Sequence, residues 1–173
     1  MNDSFNQNII IGIANPLQVG LLEYLTPQDI LWINLEITGA TNELDAELLE
    51  EAASHLYSYV KIPNPIYQVG DFLETFLRIH PFNKGNQRTA FISMLAFLTL
   101  NGYEFIIPGS EVLMWIKSVE DKRVRGLTAI RTAIRPSVKA PLDLRTLVLK
   151  LIVQYHSILD ALTFEENSLH EAA

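Results

Sequence analysis

The stretch His80-Pro81-Phe82-Asn83-Lys84-Gly85-Asn86-Gln87-Arg88-Thr89-Ala90 decides how this chain is interpreted, because it groups more reactive and polar side chains than any other segment. It lies between two apolar stretches with helical spacing. Pro81 favours a break between them, since proline lacks a backbone N–H and keeps the preceding residue out of the αR region. We therefore expect His80 near the end of one helix and Arg88 in the first turn of the next.

The sequence Lys84-Gly85-Asn86, followed by a helix, predicts an anion site. Free N–H groups at a helix N-terminus point outward, Gly85 allows a ligand to approach the backbone, and the helix dipole adds roughly half a positive charge. The expected ligand is a phosphate, whose oxygens also suit the planar guanidinium of Arg88. Asn86 is either the N-cap of the new helix or a phosphate ligand, and the two roles are compatible.

The pattern His-Pro-Phe-x-x-Gly-Asn-x-Arg, followed by Thr-Ala and a long apolar helix, resembles the signature of the Fic/Doc family, and in particular its death-on-curing (Doc) toxin branch. A softer likeness extends over roughly Leu25 to Lys117. The resemblance implies an all-α fold, a helical bundle around a central apolar helix with a short flap before the motif. It also implies that His80 is a general base, and an imidazole with a pKa of about 6.5 suits that task at neutral pH. We interpret Phe82 as a structural anchor without a chemical role.

Lys84 departs from the family pattern. Members that transfer nucleotides or phosphates from ATP usually have Asp or Glu there, and this acid holds Mg²⁺ on the phosphates. An ammonium group has no lone pair for a cation, so Lys84 argues against a bound Mg²⁺ and we predict no metal site. Lys84 either neutralises phosphate directly or marks a protein that has lost catalysis.

Gln87 stands where nucleotide-transferring members of the family usually have glycine. The Doc branch also has a long side chain there, and the resemblance then implies that the γ-phosphate of the nucleotide lies at the histidine. We expect transfer of a phosphate from ATP or another nucleotide to a protein hydroxyl, ahead of transfer of a nucleoside monophosphate (AMPylation). The alternative is a non-catalytic binding module. The predicted phosphate- or nucleotide-binding residues are Lys84, Gly85, Asn86, Gln87 and Arg88.

The segment before the motif contains two prolines two residues apart, and we predict that it is not helical. In the family the corresponding segment is a flap that holds the target protein in extended form. The predicted target-docking residues are Ile62, Pro63, Asn64, Pro65, Ile66 and Tyr67. The resemblance to the Doc branch suggests elongation factor Tu as the protein substrate.

Regulation is also implied by the resemblance. Many Fic proteins carry an inhibitory helix with a Ser/Thr-x-x-x-Glu-Gly/Asn pattern, whose glutamate pairs with the motif arginine. The nearest approach here, Thr163-Phe164-Glu165-Glu166-Asn167, is one residue too short. We therefore expect no inhibitory helix in this chain, and a small antitoxin acting in trans if the chain is a toxin of a toxin–antitoxin pair.

The composition bounds the domain organisation. With 173 residues, 49% of them hydrophobic, the chain is large enough for one core. We expect a single helical domain over residues 21–163, a flexible N-terminal arm over 1–20 and a flexible C-terminal tail over 164–173. There are no cysteines, no basic residue precedes the apolar Ile9–Ile13, and no apolar run approaches the ~20 residues needed to cross a bilayer. We expect a soluble, cytoplasmic protein with no membrane partner.

Charge is distributed unevenly along the chain. Residues 1–60 contain nine acids and no Lys or Arg, whereas nine basic residues lie between 117 and 150. The basic segment is either a solvated helix face or a docking surface for an acidic partner. We expect no nucleic-acid partner, because the net charge is −7 and no aromatic residues interleave with the basic ones.

Capping residues and apolar spacing predict the main helices. Thr26 and Pro27 begin the first, and Gly39 ends it. The helix behind the motif is apolar almost all round, as expected for the centre of a bundle. The last helix has a second apolar face, which is either the far wall of the domain or an interface with another chain. The predicted bounds are 27–37, 41 or 42 to 60, 69–79, 88–100, about ten residues after Ser110, a further stretch that is weakened at Arg125-Gly126 and ends at Pro136, and 141–162.

Overall fold

The computed structural model describes residues 22–57, 64–139 and 142–171, and within these ranges the chain is mainly α-helical. Two short antiparallel strands, β1 (Tyr103–Phe105) and β2 (Ile134–Pro136), form a small sheet in which Glu104 pairs with Arg135. The all-α prediction is confirmed. The helices are α1 (Pro27–Thr38), α2 (Ala46–Tyr57), α3 (Pro65–Ile79), α4 (Asn86–Leu100), α5 (Val112–Glu120), α6 (Gly126–Ala133), α7 (Leu144–Gln154) and α8 (His156–Glu171).

Helix α4 is the centre of the fold, as its all-round apolar sequence predicts. Every residue of α4 except Gln87 and Thr99 is buried. Helices α1, α3, α7 and α8 and strand β1 all pack against it. The ring of Phe91 meets Phe105 and Tyr155 edge-on, with centroids 5.6 and 5.3 Å away. The motif at the start of α4 is therefore attached to a helix packed in the centre of the core.

Helix α1 begins and ends where its caps predict. Thr26 Oγ1 accepts the N–H of Asp29, and the Asp29 carboxylate accepts the N–H of Thr26, which completes a capping box. Gly39 ends the helix in the left-handed conformation, with φ of 68°.

The predicted start of α2 at residue 41 or 42 is wrong. The helix begins at Ala46, because Asp45 accepts the N–H groups of Glu47 and Leu48 and acts as the cap. Leu44 instead forms an isolated antiparallel bridge with Phe82 of the motif. The segment between α1 and α2 thus pairs with the loop that carries the predicted site.

The prediction that the segment before the motif is not helical is wrong for Pro65, Ile66 and Tyr67, which form the first turn of α3. The side chain of Asn64 accepts the N–H groups of Ile66 and Tyr67. Proline at the first helical position costs nothing, since its missing N–H would be unpaired there. The other predicted flap residues, Ile62 and Pro63, lie outside the described residues.

The predicted helix over 141–162 is two helices, α7 and α8, which meet at Tyr155 with a bend of 74°. Both helices pack on α4, and each buries apolar side chains, Leu147 and Leu151 from α7 and Leu162 from α8. Helix α8 continues to Glu171, past the predicted domain boundary at residue 163. The flexibility of residues 164–173 stays a prediction. No single helix among the described residues is long and apolar enough to cross a membrane. The predicted N-terminal arm over 1–20 lies outside the described residues.

Helices α3 and α6 touch through two glycines. A Cβ atom on Gly126 would lie 2.1 Å from the carbonyl oxygen of Gly70. The carboxylate of Glu74 on α3 accepts the N–H of Gly126 and pairs with Arg125, which holds the start of α6 against α3. The close contact orients α3, and α3 ends at His80.

We expect Gly126→Ala to lower the free energy of unfolding by about 3 kcal/mol, because the new methyl group would overlap a backbone carbonyl that has no room to move. Urea denaturation would measure the change. Gly109→Ala is the matched control, since its Cβ would meet only the flexible end of Ile158 at 3.7 Å, and its effect should stay within about 0.5 kcal/mol. Equal stability of the two variants would contradict the close packing of α3 on α6.

Candidate active site

The motif loop, residues 80–85, is held by backbone hydrogen bonds at both sides. His80 ends α3 in the left-handed conformation, with φ of 48°, and its N–H donates to Phe76 at 3.1 Å. The N–H of Asp45 donates to Pro81 at 2.8 Å, and the N–H of Asn83 donates to Glu43 at 3.0 Å. The strained backbone of His80 is therefore fixed by its neighbours, an arrangement common where a side chain must be aimed.

Phe82 and Asn86 fasten the loop to the core. The Phe82 side chain is buried, with its ring 6.2 Å from that of Phe76. Asn86 Oδ1 accepts the N–H of Phe82 at 3.0 Å, and Asn86 Nδ2 donates to its carbonyl at 2.6 Å. The N-cap of α4 is Gly85, with φ of 78°, so the N-cap interpretation of Asn86 is wrong. Because Phe82 engages both ends of the Asn86 amide, this side chain supports the loop, and its contact with phosphate stays a prediction.

Asn34 on α1 supports the same loop, and the sequence analysis missed it. This side chain is 1% exposed. Its amide donates to the carbonyl of Lys84 and to Thr89 Oγ1, both at 3.0 Å, and accepts from Asn42 at 2.9 Å. The signal that could have found it is an asparagine among the buried apolar positions of α1, since a buried amide needs specific partners.

A cavity of about 340 Å³ lies over the motif. It combines residues of the motif with one carboxylate from α5 and one from α8. Lys84 is exposed and does not line the cavity. Gly85 and Arg88 do not line it either, but both form hydrogen bonds with Glu166, which does. The lining residues are His80, Phe82, Asn83, Asn86, Gln87, Glu120 and Glu166.

The described part of the predicted flap lies apart from this lining. Asn64 caps α3, and the ring of Tyr67 lies 5.1 Å below the guanidinium of Arg131, which also donates to the Tyr67 hydroxyl at 2.8 Å. Target docking by residues 64–67 stays a prediction.

Glu166 occupies the predicted anion site. Its Oε1 accepts the N–H of Gly85 at 2.6 Å, and its Oε2 pairs with Arg88 Nη2 at 2.9 Å. We call these two donors, the N–H of Gly85 and the guanidinium of Arg88, the anion cradle. Only 11% of the Arg88 side chain is exposed, and both bonds are of the strong, charge-assisted kind. The predicted cradle therefore does hold an anionic group, and the group belongs to this chain.

The inhibitory sequence pattern is absent, but Glu166 of α8 makes the contact with the motif arginine that the pattern implies. The absence of an inhibitory helix stays a prediction. The family pattern requires Ser or Thr four residues before the glutamate, where this chain has Leu162. Only 1% of that leucine is exposed. At this position α8 is therefore held by an apolar contact, whereas the family pattern has a hydroxyl side chain. Lys117 also pairs with Glu165 at 2.9 Å and ties α8 to α5.

Glu120, the last residue of α5, contacts the predicted base. Its Oε1 lies 2.9 Å from His80 Nε2, and its Oε2 accepts the side-chain amide of Gln87 at 2.6 Å. The hydrogen bond with Glu120 raises the pKa of His80, and partial burial of the imidazole opposes this only in part. Burial alone would raise the pKa of Glu120, but the bonds from His80 and Gln87 lower it below 4.5. Both shifts favour the ionised pair of an imidazolium and a carboxylate.

The described residues contain no group of three or more His, Cys, Asp or Glu side chains placed to hold a metal ion. His55 contacts Thr75, and His156 pairs with Asp160, both away from the cavity. The expectation that Mg²⁺ is not bound stays a prediction that Lys84 variants test.

Many basic residues between 117 and 150 have partners within the chain. Arg145 stacks on Trp32, with its guanidinium 4.2 Å from the ring centre. Internal partners favour the interpretation of this segment as a solvated face over a docking surface for an acidic partner. Four of the basic residues form ion pairs: Lys117 with Glu165, Arg123 with Asp121, Arg125 with Glu74 and Arg135 with Glu104.

Comparison with known proteins identifies the class of the motif. Residues 21–98 match the model of the Fic/DOC family. The matched segment covers a little under half of the chain, from before α1 to near the end of α4, and includes the whole motif. No curated protein and no solved structure matches significantly. Glu120 and Glu166, the two carboxylates that line the cavity, both lie outside the matched segment.

We expect Glu166→Ala to bind tripolyphosphate at least about tenfold more tightly than the wild type, because the cradle loses its internal anion and a charge-assisted bond contributes roughly 1.5–3 kcal/mol. Titration calorimetry at pH 7 would measure the affinity. Asp160→Ala is the matched control, since it removes a carboxylate from an exposed position of the same helix. Equal affinity of Glu166→Ala and the wild type would show that Glu166 does not compete for the cradle.

Proposed function

We propose that this protein transfers a phosphate from ATP or another nucleotide to a Ser, Thr or Tyr hydroxyl of another protein. Transfer of a nucleoside monophosphate is the second candidate. The observation that carries the proposal is the Glu166 carboxylate held by the N–H of Gly85 and the guanidinium of Arg88, in the same cavity as the imidazole of His80. An anion cradle beside a general base is the arrangement that phosphoryl transfer requires.

The reaction assigns a task to each of these groups. The target hydroxyl oxygen attacks phosphorus and forms the new O–P bond. His80 takes the hydroxyl proton. The bond between phosphorus and the bridging oxygen breaks, and the nucleoside diphosphate leaves with the electron pair. Gly85 and Arg88 hold the phosphate oxygens and stabilise the charge that they carry in the transition state.

Two further observations support a phosphate over a carboxylate as the intended ligand. Arg88 Nε is buried and has no hydrogen-bond partner among the described residues. A phosphate offers more acceptor oxygens than a carboxylate, so it could satisfy this donor as well. The side chain of Gln87 lines the cavity where a glycine would leave room for more of the nucleotide, which favours a bound γ-phosphate over a bound α-phosphate.

The described conformation represents an inactive state in this proposal, because Glu166 must leave the cradle before a nucleotide can enter. A small antitoxin in trans, and elongation factor Tu as the target, remain proposals that the resemblance alone supports. Glu166 already covers the part of Arg88 that such an antitoxin would cover, so the inactive state requires no partner.

The second candidate function is a non-catalytic binding module. Lys84 in place of the usual acid favours it. Such a module would still bind a nucleotide or a peptide in the cavity, but no group would be transferred. The two functions differ in whether label from a nucleotide reaches a protein.

We expect His80→Ala, introduced into the Glu166→Ala variant, to reduce transfer by about 10²–10⁴-fold, which is the usual contribution of a general base. The assay uses a cytosolic lysate with γ-labelled or α-labelled ATP, and label from the γ position indicates phosphate transfer. His156→Ala is the matched control, because that imidazole is exposed and away from the cavity. Undiminished transfer by His80→Ala would exclude His80 as the base. Absence of transfer with either label by the Glu166→Ala parent would favour the binding module.

We expect Lys84→Glu to make transfer dependent on Mg²⁺, because it places a carboxylate where the family has one and a carboxylate is a ligand for a hard cation. The measurement is the transfer rate against Mg²⁺ concentration in the Glu166→Ala parent with and without the change. Lys150→Glu, on the exposed face of α7, controls for the altered net charge. A steep Mg²⁺ dependence in the parent would mean that another group already binds the metal.

A further inference from the structure

We infer that Glu120 is a second inhibitory carboxylate, which prevents Nε2 of His80 from accepting a proton, in addition to the Glu166 carboxylate that occupies the anion cradle. The functional meaning of this inference rests on the proposed transfer reaction. The contact itself can be tested without that reaction.

The geometry around the imidazole supports the inference. Glu120 Oε1 lies 2.9 Å from His80 Nε2. A carboxylate oxygen can only accept a hydrogen bond, so Nε2 carries a proton while this contact is made and has no lone pair to offer a hydroxyl. A target hydroxyl must therefore displace Glu120 before Nε2 can act as a base.

Glu120 is held in this position from more than one side. Its second oxygen accepts the amide of Gln87 at 2.6 Å, so the carboxylate joins the end of α3 to the first turn of α4. Only 21% of its side chain is exposed. Displacing Glu120 would free the base and the Gln87 side chain together, and both lie where the substrate must bind.

Polar and charged groups from three elements face the pair. Glu166 on α8 acts on His80 in the same direction as Glu120, and Lys117 on α5 favours the ionised form of Glu120. Gln87 on α4 is neutral. Because the folded-state pKa of His80 is raised, its imidazolium bond to Glu120 is present below that pKa and is lost as the pH rises through it. The base becomes available at higher pH in the wild type than for an isolated imidazole.

The first experiment is an NMR titration of the His80 ring in the full chain, with its signal assigned by its loss in His80→Ala. We expect the midpoint to move down towards about 6.5 in Glu120→Gln, since the negative partner is gone. Asp121→Asn is the control, because it removes the same charge from the neighbouring position, which pairs with Arg123, and should leave the midpoint unchanged. Glu120→Ala serves as a second variant should the glutamine perturb folding. An unchanged midpoint in both Glu120 variants would overturn the inference.

The second experiment measures transfer against pH in the Glu166→Ala parent. With Glu120→Gln, the rise of the rate should move to lower pH in step with the NMR midpoint, and transfer at pH 7 should increase. A decrease at all pH values would mean that Glu120 assists the base, and would overturn the inference. If the parent transfers nothing but the NMR midpoint still moves, the contact between Glu120 and His80 stands and the proposed function fails.

Discussion

The burial of α4 is the constraint on which the site depends. A helix N-terminus carries N–H groups without partners inside the helix, and capping side chains, water or ligands satisfy them. The first turn of α4 lies within the packed core, so these groups and the loop before them need partners from the protein. Asn86 forms a hydrogen bond with the backbone of Phe82, and Asn34 donates to the carbonyl of Lys84. The N–H of Gly85 donates to a charged acceptor, the carboxylate of Glu166. The anion cradle follows from placing a polar helix end in an apolar environment.

The features that the sequence could predict are those that local chemistry decides. Thr26, Asp29 and Gly39 set the bounds of α1 through backbone groups within a few residues. The central position of α4 follows from its apolar composition. The same local reasoning predicted an anion site at Gly85 and Arg88, and the bound Glu166 carboxylate shows that these donors converge on an anion.

The features that the sequence could not predict depend on contacts between distant segments. Asn34, Glu120 and Glu166 reach the motif from α1, α5 and α8, and each is an ordinary residue within its own helix. The break at Tyr155 has no glycine or proline to signal it. The helices on either side of it, α7 and α8, both pack on α4. The inhibitory sequence pattern did not predict the contact between Glu166 and Arg88 for a related reason. The position where the pattern has Ser or Thr is Leu162 in this chain, and this leucine is buried.

The junction at Tyr155 is a point about which a rotation of α8 would move the Glu166 carboxylate. The ring of Tyr155 is fixed edge-on against Phe91 of the core, and Glu166 lies roughly 16 Å further along the helix at about 1.5 Å per residue. A rotation of about 10° at the junction would therefore displace the carboxylate by roughly 3 Å, which is comparable to the length of its bond to Arg88. A small angular change near the core is thus amplified at the far end of α8, where its carboxylate meets the cradle.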